Sequence, residues 1–142
     1  MPIDVVVLDQ DQIMTVELIY LAAATLLTLL IRAAWMLNKV QNRGLGVVVG
    51  YPKESKPLSE WAHRLWIAHE DAIQSLVTFA VLVIIVQMSG LADESTAMAA
   101  AVYFWARLLH VFAYIFALRW VKTIAFLSGF FSQLWLLWIL FN

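Results

Sequence analysis

Apolar residues gather into four long runs, near 15–37, 64–89, 96–118 and 120–141, and the polar breaks between them set the topology. A helix rises 1.5 Å per residue, so about 20 apolar residues cross the ~30 Å hydrocarbon core of a bilayer. Each run meets that length as a spanning helix. The first is rich in Leu, Ala and Thr and gives way to Asn38 and Lys39. The one long break, 39–59, holds Gly44, Gly46, Gly50, Pro52 and Pro57, which predict a loop without helix. Ser59 is placed to cap the second helix, and Ser89-Gly90 to end it. Asp93-Glu94 reads as a short turn. Turns this short force the second, third and fourth helices to lie antiparallel as neighbours. The expectation is an all-α integral membrane four-helix bundle, one domain over 1–142.

Two runs break the apolar pattern from inside. The second carries His69, Glu70, Asp71 and Gln74; the third carries Tyr103, Arg107, His110 and Tyr114. The third-run spacing of i, i+4, i+7 and i+11 lines one helical face. A charge near the bilayer centre costs at least ~2.5–3.5 kcal/mol on insertion scales, so it normally faces the bundle interior and serves a function. Counted from the ends at Arg64 and Leu118, Asp71 lies roughly 10 Å deep, Gln74 and Arg107 roughly 15 Å, and His110 roughly 12 Å. Arg107 is therefore expected within reach of Asp71, as a guanidinium–carboxylate pair. Glu70 beside Asp71 leaves a surplus charge, which favours a wet cavity over a closed pair. The blander reading is that Arg107 and Asp71 only hold helix register. Tyr103 and Tyr114 taken alone read as packing aromatics, and Ser128, Ser132 and Gln133 as helix-contact residues.

Composition narrows the class. The chain is 63% hydrophobic, more than a soluble domain of its 142 residues carries, and the excess belongs against lipid. With no cysteine there is no disulfide, thiolate metal site or thiol nucleophile. His69, His110 and Asp71 lack metal-ligand spacing on one helix, so no metal is expected. The net charge of −1, with no basic block, gives no reason to expect nucleic acid. Residues 1–14 carry three aspartates and no basic residue, unlike the start of a secretory signal. Of the nine Lys and Arg, all but Arg107 fall at one side of the predicted bundle. By the positive-inside rule the 39–59 loop is cytoplasmic and both termini lie opposite. Trp61, Trp66 and Trp120 suit interfacial anchors on the basic side. The compact size and acidic N-terminus lean toward a bacterial inner membrane.

Four spans, the long first loop, a polar second helix and the segment ARLLHVFAY together resemble the MAPEG proteins (membrane-associated proteins in eicosanoid and glutathione metabolism). The resemblance covers roughly 15–142, and its most specific part is Arg-x-x-His-x-x-x-Tyr, here Arg107, His110 and Tyr114. The segment IAHEDAIQ (67–74) is similar to the family's Arg-Ala-His-x-Asn-x-x-Glu, with Ala68 and His69 kept. Ile67, Asp71 and Gln74 replace its arginine, asparagine and glutamate, and Glu70 occupies a position that is basic in some members. The resemblance implies a homotrimer holding glutathione between subunits. It places Asp71, Gln74, Arg107, His110 and Tyr114 in the cofactor site, and Arg119 or Lys122 where a basic residue stabilises the thiolate.

Three functions compete. The first is a non-catalytic trimer that binds a lipid, a small amphiphile or a partner protein in the polar site, which the altered second helix favours. The second is a glutathione-dependent transferase or peroxidase acting on a lipophilic electrophile admitted from the bilayer. The third, a proton-coupled exporter using Glu70 or Asp71, suits a lone membrane carboxylate better than this mixed stripe.

Overall fold

The computed structural model describes residues 14–51 and 56–142, so the acidic stretch through residue 13, and Pro52 and Lys53 of the first loop, lie outside it. Four long helices carry the fold: α1 (Val16–Arg43), α3 (Glu60–Met88), α4 (Glu94–Ile115) and α5 (Arg119–Phe141). All four are long and apolar enough to cross a membrane. A one-turn helix, α2 (Leu45–Val49), follows α1.

The first part of the predicted loop, through Val49, is therefore largely helical. α1 continues past residue 39 to Arg43, where Gly44 at φ 80° turns the chain. Gly50 ends α2 with its N–H on the Gly46 carbonyl, while Gly46 itself sits inside the helix. Gly44 and Gly50 act as breakers and Gly46 does not, because a single helical glycine costs only about 1 kcal/mol. Ser59 stands at the N-cap of α3, but its hydroxyl makes no capping bond. Asp93 is more than a turn residue. Its carboxylate accepts from the Thr96 N–H while the Thr96 hydroxyl accepts from the Asp93 N–H, a reciprocal capping box that starts α4.

The helices run up, down, up, down, so α1 begins and α5 ends at the same end of the bundle. α4 packs on α1, α3 and α5, while α1 and α5 do not pack on each other. α4 is accordingly the most enclosed span, with 44% of its apolar stretch buried against 17% for α1. Lipid cannot drive helices together by the hydrophobic effect, so close backbone approach has to do it. Ala62, Ala68, Ala72, Ala100, Ala113 and Ala125 are all buried and provide it. Large apolar side chains such as Leu26, Leu30, Trp105 and Phe131 instead face outward, as lipid-facing residues should.

Two apolar clusters fill the interior. At the Asp93 end, Phe79 stacks on Tyr103 with ring centroids 3.8 Å apart, among Val83, Val86 and Leu136. At the basic end, Ile31, Leu65, Ala72 and Val111 form the second. Gln74 and Ser75 of α3 and Arg107 of α4 lie between the clusters.

Candidate functional site

Two features bring α3, α4 and α5 together around a polar cleft. Gly129 of α5 faces Arg107, and a Cβ there would stand 3.2 Å from its Nη2, so glycine is what lets α5 approach the guanidinium. The α4–α5 turn is equally tight. Ala117 adopts φ 57°, the Leu118 N–H reaches the Ala113 carbonyl at 2.8 Å, and Arg64 of α3 donates to the Tyr114 and Ile115 carbonyls. Those last carbonyls of a helix have no partner within it, and the arginine satisfies them. The turn sets Arg119 and Lys122 beside Tyr114.

The cleft, of about 260 Å³, is lined by Asp71, Gln74, Ser75 and Thr78 of α3, Arg107 of α4, and Phe126, Phe130 and Gln133 of α5. Ser75 anchors its floor, its oxygen accepting from the Tyr103 hydroxyl at 3.1 Å and the Gln133 amide at 2.8 Å. A second cleft of about 280 Å³ opens toward the basic end, between Arg64, Tyr114, Arg119 and Lys122. Tyr114 joins the two. Its hydroxyl donates to the Asp71 carboxylate at 2.9 Å, and the Lys122 ammonium lies 5.0 Å from its ring centre.

The expected Arg107–Asp71 ion pair is not formed. The one ion pair among the described residues is Arg64–Glu60 at 3.8 Å, and Asp71 is held by Tyr114 instead. Arg107 is only 4% exposed, yet its Nε and Nη1 have no hydrogen-bond partner. Its guanidinium lies 5.5 Å from the Tyr103 ring and 5.7 Å from the Phe126 ring. Such rings give a cation ~0.5–2 kcal/mol but accept none of its in-plane hydrogens. The physical reason lies in where each side chain is held: Arg107 is flanked by the Tyr103 and Phe126 rings and by Gly129, while Asp71 meets the Tyr114 hydroxyl.

Asp71, Gln74 and Arg107 thus share one cleft, with Tyr114, Arg119 and Lys122 adjoining. His110 stands apart. It is buried behind Arg107, beside a narrow void that Leu27 and Thr28 of α1 close, with its ring edge-on to Tyr114 at 5.0 Å. Glu70 is exposed and points away from half-buried Asp71, because adjacent helical residues diverge by about 100°. His69 is buried with Nδ1 unpartnered, 6.2 Å between ring centres from Trp35, whose indole nitrogen also lacks a partner.

Three participants escaped the reading of the sequence. Gln133 read as a helix-contact residue and Ser75 drew no reading, and only the crossing of α3 and α5 brings them to one point. Glu17, near the start of α1, is buried and accepts from the Thr96 hydroxyl. Its signal was a carboxylate just inside an apolar run, which helix-terminus preference for acidic residues concealed.

No curated protein matches the chain. The MAPEG family model matches residues 18–142, which takes in all four spans and both halves of the polar cleft, and the chain belongs to the MAPEG family, with its membrane four-helix fold.

Proposed function

We propose that the cleft between α3, α4 and α5 binds the anionic group of a small amphiphile, whose apolar part lies along Phe126 and Phe130. Arg107 is the observation that supports this reading. A guanidinium this enclosed is expensive to leave without an acceptor; Nε and Nη1 are sealed inside the bundle, so an anionic group in the cleft would meet Arg107 through Nη2. Gln74, Ser75 and Gln133 add neutral hydrogen-bonding groups around it. Asp71, already engaged by Tyr114, sets the limit on how much negative charge the cleft accepts. In this reading the chain is a binding protein of the membrane rather than a catalyst. A homotrimer, with the cytoplasmic side at the basic end and a bacterial inner membrane as its setting, completes the proposal.

A second reading, glutathione-dependent transfer, is favoured by the cationic cleft next door. Glutathione carries two carboxylates, an ammonium and a thiol, and the residues present fit it in kind. Unpartnered Arg107 suits one carboxylate, and Asp71 suits the ammonium if Tyr114 releases it. The cofactor would supply the nucleophilic thiol that this cysteine-free chain lacks. Arg119 and Lys122 would hold negative charge at the sulfur, next to Tyr114. Phe126 and Phe130 would exclude water from the cleft.

Calorimetric titration of the detergent-solubilised protein with dodecanoate and with glutathione separates the two. Saturable dodecanoate binding that Arg107→Gln abolishes, with no heat from millimolar glutathione, is the expected result. Glutathione binding that Arg107→Gln abolishes would move the assignment to the second reading. Binding of neither ligand would remove both.

A further inference from the structure

The basic end of the bundle holds a third cleft, between α1 and α3, that plays no part in the site above. α1 and α3, at 28 and 29 residues, are longer than α4 and α5, at 22 and 23. At the Asp93 end α1 and α4 start level, since Glu17 of α1 meets Thr96 in the first turn of α4. The surplus length therefore emerges at the basic end. Counted by helical rise from that contact, α1 reaches the level of Ile115, the last residue of α4, near Met36, so the α1 segment from there to Arg43 overhangs by about 10 Å. That overhang lies at headgroup depth.

Between the overhanging ends is a cleft of about 600 Å³, lined by Trp35, Lys39 and Arg43 of α1, Pro57 and Leu58 of the short strap 56–59 that leads into α3, and Glu60, His63 and Trp66 of α3. Its chemistry is divided. Lys39 and Arg43 stand one helical turn apart on the same face, while Trp35 and Trp66 form apolar walls, the latter stacked on His63 at 5.8 Å. Among the described residues neither cation pairs with a carboxylate. Glu60 pairs with Arg64, Arg43 donates from Nε to the Lys56 carbonyl, and the Lys39 ammonium rests 5.9 Å from the Trp35 ring centre. Trp35 and Lys39 face this cleft rather than the one holding Arg107.

We infer that this cleft is a binding site for the phosphate of an anionic membrane glycerophospholipid. Lys39 and Arg43 meet the phosphodiester as charge-assisted donors, and the glycerol and first acyl carbons lie against Trp35 and Trp66. A membrane phospholipid is the source because the depth is that of a headgroup and the walls are apolar on the hydrocarbon side. A free phosphate ion would find no use for two indole rings. Basic residues near any membrane surface attract anionic lipid diffusely. Here the strap and the paired helices define a bounded space, so binding is stoichiometric.

Native mass spectrometry of the protein released from mild detergent tests this, with phosphatidylglycerol and phosphatidylcholine of identical acyl chains added in turn. One phosphatidylglycerol retained per chain is expected, preferred over phosphatidylcholine by about tenfold and not displaced by millimolar inorganic phosphate. In Lys39→Gln/Arg43→Gln the preference should vanish. The charge-conserving Lys39→Arg/Arg43→Lys should keep it, which separates lost recognition from lost folding. Equal retention of the two lipids, an unchanged preference in the glutamine variant, or displacement by inorganic phosphate would each overturn the inference.

Discussion

Glu17 and Arg107 are both ionisable side chains buried in an apolar bundle, at 3% and 4% exposure, and the structure treats them in opposite ways. Glu17 is tied into a helix end. It accepts the hydroxyl of Thr96, which in turn closes the capping box with Asp93, so three side chains join the start of α1 to the start of α4. Arg107 is tied to little. It has two aromatic faces, a glycine pressed against it and two nitrogens with no acceptor. A buried polar group that is satisfied contributes to holding the fold, and one that is not satisfied is a cost that binding can recover. The difference teaches which charge serves architecture and which serves a ligand.

Substitutions can break this comparison from either side. The largest expected effect is on binding. Arg107→Gln removes charge-assisted hydrogen bonds of ~1.5–3 kcal/mol each, so dodecanoate affinity should fall by about 100-fold or more, which calorimetry reads as lost binding. Next comes Thr96→Val, which strands the Glu17 carboxylate and opens the capping box. Thermal denaturation in detergent should report a loss of about 2–3 kcal/mol with dodecanoate affinity unchanged. Equal damage to binding would show that the two regions are not separate.

Tyr114→Phe should cost less, about 1 kcal/mol, because Asp71 is half-exposed to the cleft and regains water when the phenol is lost. The same variant frees Asp71 to approach Arg107, so weaker dodecanoate binding should accompany the small loss of stability. Ala117→Gly, at φ 57°, should raise stability by about 0.5–1 kcal/mol, read as a higher melting temperature. No change there would mean the α4–α5 turn sits comfortably without glycine.

Much of the fold was legible from hydrophobic run length, because membrane spans must satisfy their backbone internally and so announce themselves as long apolar helices. The boundaries were less so. Arg43 still belongs to α1, past residue 39 where loop was expected, since glycine spacing does not say which glycine takes a positive φ. The 3.6-residue period gathered Arg107, His110 and Tyr114 onto one stripe, and depth counting brought Asp71 and Gln74 to their level. What periodicity cannot convey is the choice among neighbours. Arg107 settles between the Tyr103 and Phe126 rings while Asp71 meets Tyr114, and which neighbour each side chain meets depends on angstrom-scale helix rotation. The contributions of Ser75, Gln133 and Gly129 were hidden for a related reason, since they arise from where α5 meets α3 and α4 rather than from any one helix.

The most direct test of the distinction between the two buried charges is the melting temperature of ligand-free Arg107→Met beside that of the unaltered protein, in the same detergent. Methionine keeps the length and apolar packing while deleting a charge that has no partner, a change that is often neutral or stabilising. An equal or higher melting temperature is the predicted result, and it would mark Arg107 as kept for what it binds. A loss of about 3 kcal/mol or more, as when one member of a buried ion pair is removed, would show that Arg107 holds the bundle together and contradict the account.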